Sequence, residues 1–246
     1  MPTYRDEAVV LRTHKLGEAD RIITLLSREH GKLRAVAKGV RRTSSKFGAR
    51  LEPLSHVDVQ LATGRSLDIV TQVVSRNAFG EHLIGDYPRW TTGQAIVETV
   101  DRLVAEEREP ALQQYLLLVG ALRALDQGTA EGPVPAGLIL DSYLLRSMAV
   151  AGWAPSFHDC ARCGVVGPHG SFSPAAGGAV CETCRPAGSA RPSRATFALL
   201  AALLEGRWDA TQGLDAQTVR EASGIAAAYT TWHLDRNLKS LAHVER

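Results

Sequence analysis

Two CxxC pairs, Cys160/Cys163 and Cys181/Cys184, constrain the fold of this chain more than any other feature. They are separated by 17 residues, a spacing typical of four-thiolate zinc sites. Two residues between cysteines allow one tight turn to direct both sulfurs at a common centre. The sequence therefore predicts one structural Zn²⁺ per chain, in a knuckle at about 158–187, with the ligands Cys160, Cys163, Cys181 and Cys184.

A redox-active dithiol is the competing interpretation of a CxxC pair. It requires one CxxC at the start of a helix in a thioredoxin-like setting, and both the duplicated motif and the Gly-rich stretch 167–178 disfavour it. His158 and His169 lie nearby and are alternative ligands. With four thiolates present, we expect both histidines at the surface.

The composition, with 45% hydrophobic and 22% charged residues, is that of a globular protein and excludes a disordered or collagen-like chain. The longest apolar run, 197–204, has eight residues, whereas a membrane-spanning helix needs about 20. Arg5, Asp6 and Glu7 stand where a secretory signal has its apolar stretch. We therefore expect a cytoplasmic protein without membrane contact, and a reducing compartment favours metal ligands over disulfides.

Hydrophobic periodicity changes along the chain. The first 80 residues show period-two runs bounded by turn residues, which predict strands at 8–12, 21–26, 32–37, 57–61 and 67–73. Five strands in so short a segment favour an OB-fold barrel, with an SH3-like barrel as the alternative. Helical periodicity follows, at about 96–104, 111–125, 136–150, 194–204 and 216–241, with Gly224 expected to interrupt the last helix. The predicted fold is α+β: a barrel domain at 1–80 and a mainly helical domain, carrying the four-cysteine zinc element, at 81–246.

Charge is distributed unevenly between these two parts. Residues 1–80 have 14 basic and 8 acidic side chains, and residues 81–246 have 14 and 18. The stretch 31–50 has no acidic residue and contains Lys32, Arg34, Lys38, Arg41, Arg42, Lys46 and Arg50. A field of one sign concentrates polyanions near it, although a solvated loop that aids solubility has the same composition.

The segment 16–61 contains four short motifs in a fixed order: Gly17–Ile23, His30–Leu33, Ala37–Arg42 and Leu51–Leu54. With these motifs the segment resembles the RecO family of bacterial recombination mediators. The helical middle, the four-cysteine element and Leu238–Leu241 extend the resemblance over nearly the whole chain.

The resemblance implies a role in DNA repair and homologous recombination. Members of that family bind single- and double-stranded DNA through an OB-fold and anneal complementary strands. With RecR they assist RecA in replacing single-strand binding protein (SSB), whose C-terminal tail is a further expected partner. The implied location is the cytoplasm, in association with the nucleoid. We expect no enzyme, because the sequence has no GxxxxGK[ST], HExxH or GxSxG motif.

We expect the seven basic residues of 31–50 to contact DNA phosphates, with Arg12, Lys15 and Arg65 as flankers. Phe47 is the one aromatic residue of the barrel that we expect to be an exposed stacking platform, so phosphate contact outweighs base readout and binding is sequence-independent. A zinc-ribbon transcription regulator and a protein adaptor are the alternatives. The regulator is disfavoured because segment 160–184 has only Arg162 against Glu182.

Overall fold

The chain folds into two compact units, Met1–Asp126 and Gln127–Arg246. The computed structural model describes residues 1–234 and 238–244. The change from strands to helices falls between Ala78 and Phe79. The division into domains at residue 80 stays a prediction.

The first unit, all of which is described, contains five strands that form a closed barrel in the order β1-β2-β3-β5-β4, with β4 pairing back to β1. The strands are β1 (Thr3–Leu16), β2 (Asp20–Ser27), β3 (Gly31–Ala37), β4 (Ser55–Ala62) and β5 (Asp68–Ala78). Neighbouring strands are antiparallel except β3 and β5, which are parallel and pair only at Ala35–Asp68 and Val36–Ile69. The predicted five-stranded OB-type barrel is confirmed.

Alternate residues of the strands fill the barrel, as the period of two requires. Val10, Ile23 and Leu25 are among these buried core residues, and Phe47 and Leu51 join them from the connection between β3 and β4. Each such side chain stabilises the fold by about 1.5–3 kcal/mol through removal of apolar surface from water.

Three helices complete the first unit: α1 (Phe79–Leu83), α2 (Tyr87–Leu103) and α3 (Leu112–Gln127). The Asp86 carboxylate caps α2 by accepting the Arg89 N–H at 3.1 Å. Because α2 packs against β1, Val9 and Leu11 are buried although they lie outside the barrel core. The barrel therefore carries a helical layer on the β1 side.

The second unit is built on three mutually packed helices, α4 (Ala136–Val150), α5 (Arg194–Glu205) and α6 (Ala216–Leu234). Between α4 and α5 lies a short antiparallel hairpin, β6 (Ser171–Ser173) and β7 (Gly178–Val180). The Ser193 hydroxyl caps α5 by accepting the Thr196 N–H at 3.1 Å. This unit confirms the predicted helical part.

The last predicted helix is too long. Its described part reaches Leu234, and residues 235–237 lie outside the described residues. Leu238 and Lys239 are not helical, and Ser240–His243 forms a 3-10 helix, so the α-helix does not extend to Leu241. The prediction extended the helix because Leu241 continues the apolar pattern of α6, but Leu241 lies in the 3-10 helix instead. Gly224 does not interrupt α6, because it lies on the exposed side with open space around it.

Candidate nucleic-acid interface and metal centre

The predicted basic residues divide between a strand and the connection that follows it. Lys32 and Arg34 lie on β3, and the other five lie in residues 38–50, here called the basic segment. The side chains of this segment that are exposed and cationic are Lys38, Arg41, Arg42, Lys46 and Arg50. Five of the seven predicted residues thus lie in the basic segment, which contains no acidic residue.

Hydrogen bonds attach the basic segment to the turn between β1 and β2. The Gly39 N–H donates to Asp20 Oδ1 at 2.7 Å, and the Arg41 N–H donates to Ala19 O at 2.9 Å. Arg41 Nη1 also donates to Gly17 O at 3.2 Å and Glu18 O at 2.8 Å. A guanidinium has five N–H groups, so Arg41 keeps donors for a phosphate while it orders this turn.

The remaining cations of the basic segment differ in how firmly they are held. Lys46 Nζ donates to Thr71 O at 3.0 Å, and Arg50 Nη1 donates to Lys46 O at 3.1 Å. Within the described part of the chain, Lys38 and Arg42 form no ion pair. These two side chains are therefore the cleanest candidates for direct phosphate contact.

Phe47 is not the exposed stacking platform that we expected. It is 2% exposed and belongs to the barrel core, because the segment folds its aromatic ring inward while Lys46 and Arg50 stay outside. Phe79 is fully buried as well, and the Tyr4 hydroxyl donates to Asp68 at 2.6 Å. The candidate interface thus offers charge, and none of these three aromatic residues is an exposed stacking platform.

Lys32 and Arg34 contact acidic residues from beyond the barrel. Lys32 is 8% exposed, and its Nζ donates to the backbone oxygen of Asp101 at 2.8 Å and lies 3.3 Å from the Asp101 carboxylate. Arg34 Nε donates to Glu107 Oε1 at 2.5 Å, and the flanker Arg12 pairs with Asp101 at 3.2 Å. The other flankers, Lys15 and Arg65, are exposed.

Asp101 and Glu107 are the residues that sequence reasoning missed. Asp101 lies within α2, and Glu107 belongs to an acidic stretch after α2 that also contains Glu106 and Glu109. Nothing in the sequence places that stretch beside β3, because the contacts with Lys32 and Arg34 join residues about 70 positions apart.

The four cysteines come together around one centre. Their Sγ atoms all lie within 4.8 Å of one another, and all four thiols are free. The Cys163–Cys181 distance of 3.8 Å is far too long for a disulfide of about 2.05 Å. Sulfurs around a tetrahedral zinc, at about 2.3 Å each, lie about 3.8 Å apart. The cysteines are therefore positioned to hold a metal ion.

The hairpin positions both knuckles. The Ala161 N–H, beside Cys160, donates to Ala179 O at 2.8 Å, and the Ala179 N–H donates to Ser156 O at 2.7 Å. This approach needs glycine at Gly178, where φ is 146° and a Cβ would lie 2.2 Å from Ser156 O. β7 thereby brings Cys181 next to Cys160.

Backbone hydrogen bonds favour the thiolate form of one of the four cysteines, Cys160. Backbone N–H groups of Cys181 and Cys163 hydrogen-bond to the Cys160 sulfur and lower its pKa to about 6. Hydrogen bonds with Cys163 and Cys181 raise the pKa of Cys184 to about 12. A bound cation favours the thiolate form of each ligand, so metal binding would release protons.

The two nearby histidines have other partners. His158 Nδ1 lies 2.7 Å from the Asp159 carboxylate, and His169 Nε2 donates to Val165 O at 2.9 Å. Neither belongs to the metal cluster found among the described residues.

Sequence comparison assigns the chain to a family. The model of the family Recombination protein O N terminal matches residues 1–79, and that of Recombination protein O C terminal matches residues 84–242. The chain belongs to the RecO family. The resemblance inferred from the sequence is thus confirmed.

Curated RecO relatives match along their whole length. DNA repair protein RecO of Nocardioides sp. (strain ATCC BAA-499 / JS614) is 59% identical over 246 residues, with 99% of each chain covered. The proteins of the same name from Cutibacterium acnes (strain DSM 16379 / KPA171202) and Thermobifida fusca (strain YX) are each 56% identical, with 100% of each chain covered.

No helix in the described ranges combines the length and the apolar character needed to cross a membrane.

Proposed function

We propose that this RecO-family chain acts in DNA repair and recombination as a mediator that binds the backbones of single- and double-stranded DNA without regard to sequence. It anneals complementary strands and, with RecR, assists RecA loading onto single-stranded DNA coated with SSB, whose C-terminal tail it binds. The role needs no catalytic residue, and it places the protein in the cytoplasm at the nucleoid. The relatives named DNA repair protein RecO support the pathway.

The exposed basic segment is the observation that carries the DNA-binding part. Five cations project from one connection, and the aromatic residue among them is buried. Phosphate contacts hold a strand without reading its bases, and a strand held in this way keeps its base edges free to pair. This division of contacts is what annealing requires.

Zinc belongs to the proposal as a structural ion, one per chain, held by the four cysteines. Four thiolates close a tetrahedral shell and leave no position for a substrate or water. When bound, the ion would link the two knuckles and the hairpin between them.

DNA binding and annealing by a double variant, Lys38→Gln with Arg42→Gln, test the proposal. Both side chains are exposed, and neither is tied to the barrel, so the fold should be unaffected. Loss of two phosphate contacts should reduce the slope of log affinity against log salt by about 1.4 for single strands. Annealing of complementary oligonucleotides should slow in parallel.

The matched control is Arg89→Gln with Arg123→Gln, which removes the same charge from exposed positions on α2 and α3. Its salt slope should equal that of the wild type. If the two double variants bind DNA alike, the basic segment is not the interface. If the wild type neither binds nor anneals oligonucleotides at low salt, the proposed function is wrong.

A further inference from the structure

We infer that the Glu107 carboxylate forms an ion pair with the Arg34 guanidinium at the position where a DNA phosphate would bind. Arg34 therefore contacts DNA only when the Glu107 side chain is displaced. The inference rests on the proposed function and adds a regulatory contact to that site. It concerns the segment 104–111 between α2 and α3, here called the acidic cover.

The acidic cover lies along the edge of β3 that β5 leaves open. β5 pairs only with Ala35 and Val36, whereas Glu107 forms a parallel bridge with Lys32, and the Arg108 N–H donates to Lys32 O at 2.9 Å. The contact is close, since a Cβ on Gly31 would come within 1.8 Å of Glu109 O. The backbone of the cover is therefore attached to the barrel.

A buried carboxylate holds the cover from its other side. Arg108 Nη2 donates to both oxygens of Asp68 at 2.8 Å, and the Asp68 side chain is fully buried. Lys32 is also buried and paired: it is 8% exposed, and its ammonium group contacts Asp101 of α2. DNA therefore has no access to Lys32 while α2 stays in place.

The pair of Arg34 and Glu107 is of a different kind. Arg34 is 45% exposed and Glu107 is 38% exposed, with 2.5 Å between Nε and Oε1. Ion pairs this exposed contribute little to stability and are screened by salt. The Glu107 side chain can therefore rotate away while its backbone remains bridged to β3.

Phosphate is the ligand chemistry that fits the released Arg34. A guanidinium binds carboxylate and phosphate through the same fork of donors, so one anion can replace the other. Arg34 also lies on β3, and in OB-folds the surface of strands 2 and 3 commonly binds oligonucleotides. A strand held by the basic segment, which begins one residue after β3, brings further phosphates to Arg34.

The test is Glu107→Gln with Glu106→Gln as the matched control. Glu106 is the neighbouring residue, is exposed and forms no ion pair within the described residues, so its change removes the same charge without freeing Arg34. We expect Glu107→Gln to bind oligo-dT about threefold more tightly at low salt and to steepen the salt slope by about 0.7, the value of one added contact. The control should show less than half of that gain in log affinity and no change in slope, and both variants should keep the wild-type melting temperature.

Arg34→Gln completes a double-mutant cycle. In that background, Glu107→Gln should bind no more tightly than Glu106→Gln. The inference would be overturned if Glu107→Gln raised the DNA affinity equally in the wild-type and Arg34→Gln backgrounds. It would also be overturned if Glu107→Gln and Glu106→Gln raised the affinity equally. The double variant Lys38→Gln with Arg42→Gln, measured in the same assay, distinguishes this inference from the proposed function. If that variant weakens DNA binding while the cycle shows no coupling between Arg34 and Glu107, the masking of Arg34 is wrong but DNA binding by the basic segment stands.

Discussion

At the scale of single residues, Asp68 is a fully buried carboxylate of the barrel with three hydrogen-bonding partners. It accepts hydrogen bonds from Tyr4 at 2.6 Å, from the Gly64 N–H at 3.1 Å and from Arg108 at 2.8 Å. Burial alone would raise the pKa of Asp68, but the hydrogen bonds from Tyr4, Gly64 and Arg108 outweigh it and lower the pKa. The contact also holds Arg108 at a φ of 65°, which a side-chain-bearing residue seldom adopts.

We predict that Asp68→Asn lowers the free energy of unfolding at pH 7 by about 2 kcal/mol, the value of charged hydrogen bonds lost. Because the folded pKa is depressed, the contribution of Asp68 is complete above its unfolded pKa of about 3.9 and is lost as pH falls through the folded value. Urea unfolding followed by circular dichroism should show the gap between wild type and variant narrowing from pH 7 towards pH 3. A gap of constant size would contradict this assignment.

At the scale of elements, the hairpin of β6 and β7 is too small to be stable alone. Each strand has three residues, and a two-stranded hairpin is marginal in water. The four cysteines, two before and two after the hairpin, are positioned to hold a metal ion. A metal bound there would supply the missing constraint, because structural metals contribute folding free energy to small elements.

Purified protein should therefore contain one zinc per chain by elemental analysis. Cys163→Ser with Cys184→Ser should lose the zinc and become sensitive to proteolysis within residues 156–190, since two ligands cannot close the shell. His158→Ala is the matched control, because His158 is adjacent to the knuckle but outside the cysteine cluster, and it should keep its zinc. Well under one zinc per wild-type chain, with all thiols reactive, would remove the metal assignment.

At the scale of the whole molecule, the excess of basic residues in the first 80 positions is only partly available to DNA. Acidic residues from α2 and the acidic cover form ion pairs with Arg12, Lys32 and Arg34. The exposed cations that remain among the predicted residues are the five of the basic segment, which share one segment, and the separate flankers Lys15 and Arg65. The DNA affinity should therefore decrease with increasing salt concentration as expected for about five phosphate contacts.

We predict a slope of log affinity against log salt near −3.5 for single strands and near −4.5 for duplexes. Oligonucleotides of equal length and different base composition should bind within about threefold of one another, because phosphate contacts carry no sequence information. Titrations over a range of salt concentrations measure both quantities. A preference above about tenfold for one base would indicate base readout and contradict this interpretation.

Much of the protein could be predicted from local pattern. Period-two alternation predicted the five strands, and helical periodicity predicted the bounds of α4 and α5 to within a residue or two. The CxxC spacing predicted that the four cysteines cluster around one centre. Such signals are readable because each depends on residues close in sequence, where backbone geometry alone sets the spacing.

Tertiary structure alone decided which side chains face solvent and which cations are already paired. Phe47 has charged neighbours in sequence but turns into the barrel, and Lys32 is basic but lies beneath Asp101. Burial and pairing depend on segments far apart in the chain, such as β3 and the acidic cover, which meet only when the barrel and its helices pack. The sequence therefore showed that residues 31–50 are basic, whereas the fold decided which of these basic side chains are exposed and unpaired, and so accessible to a polyanion.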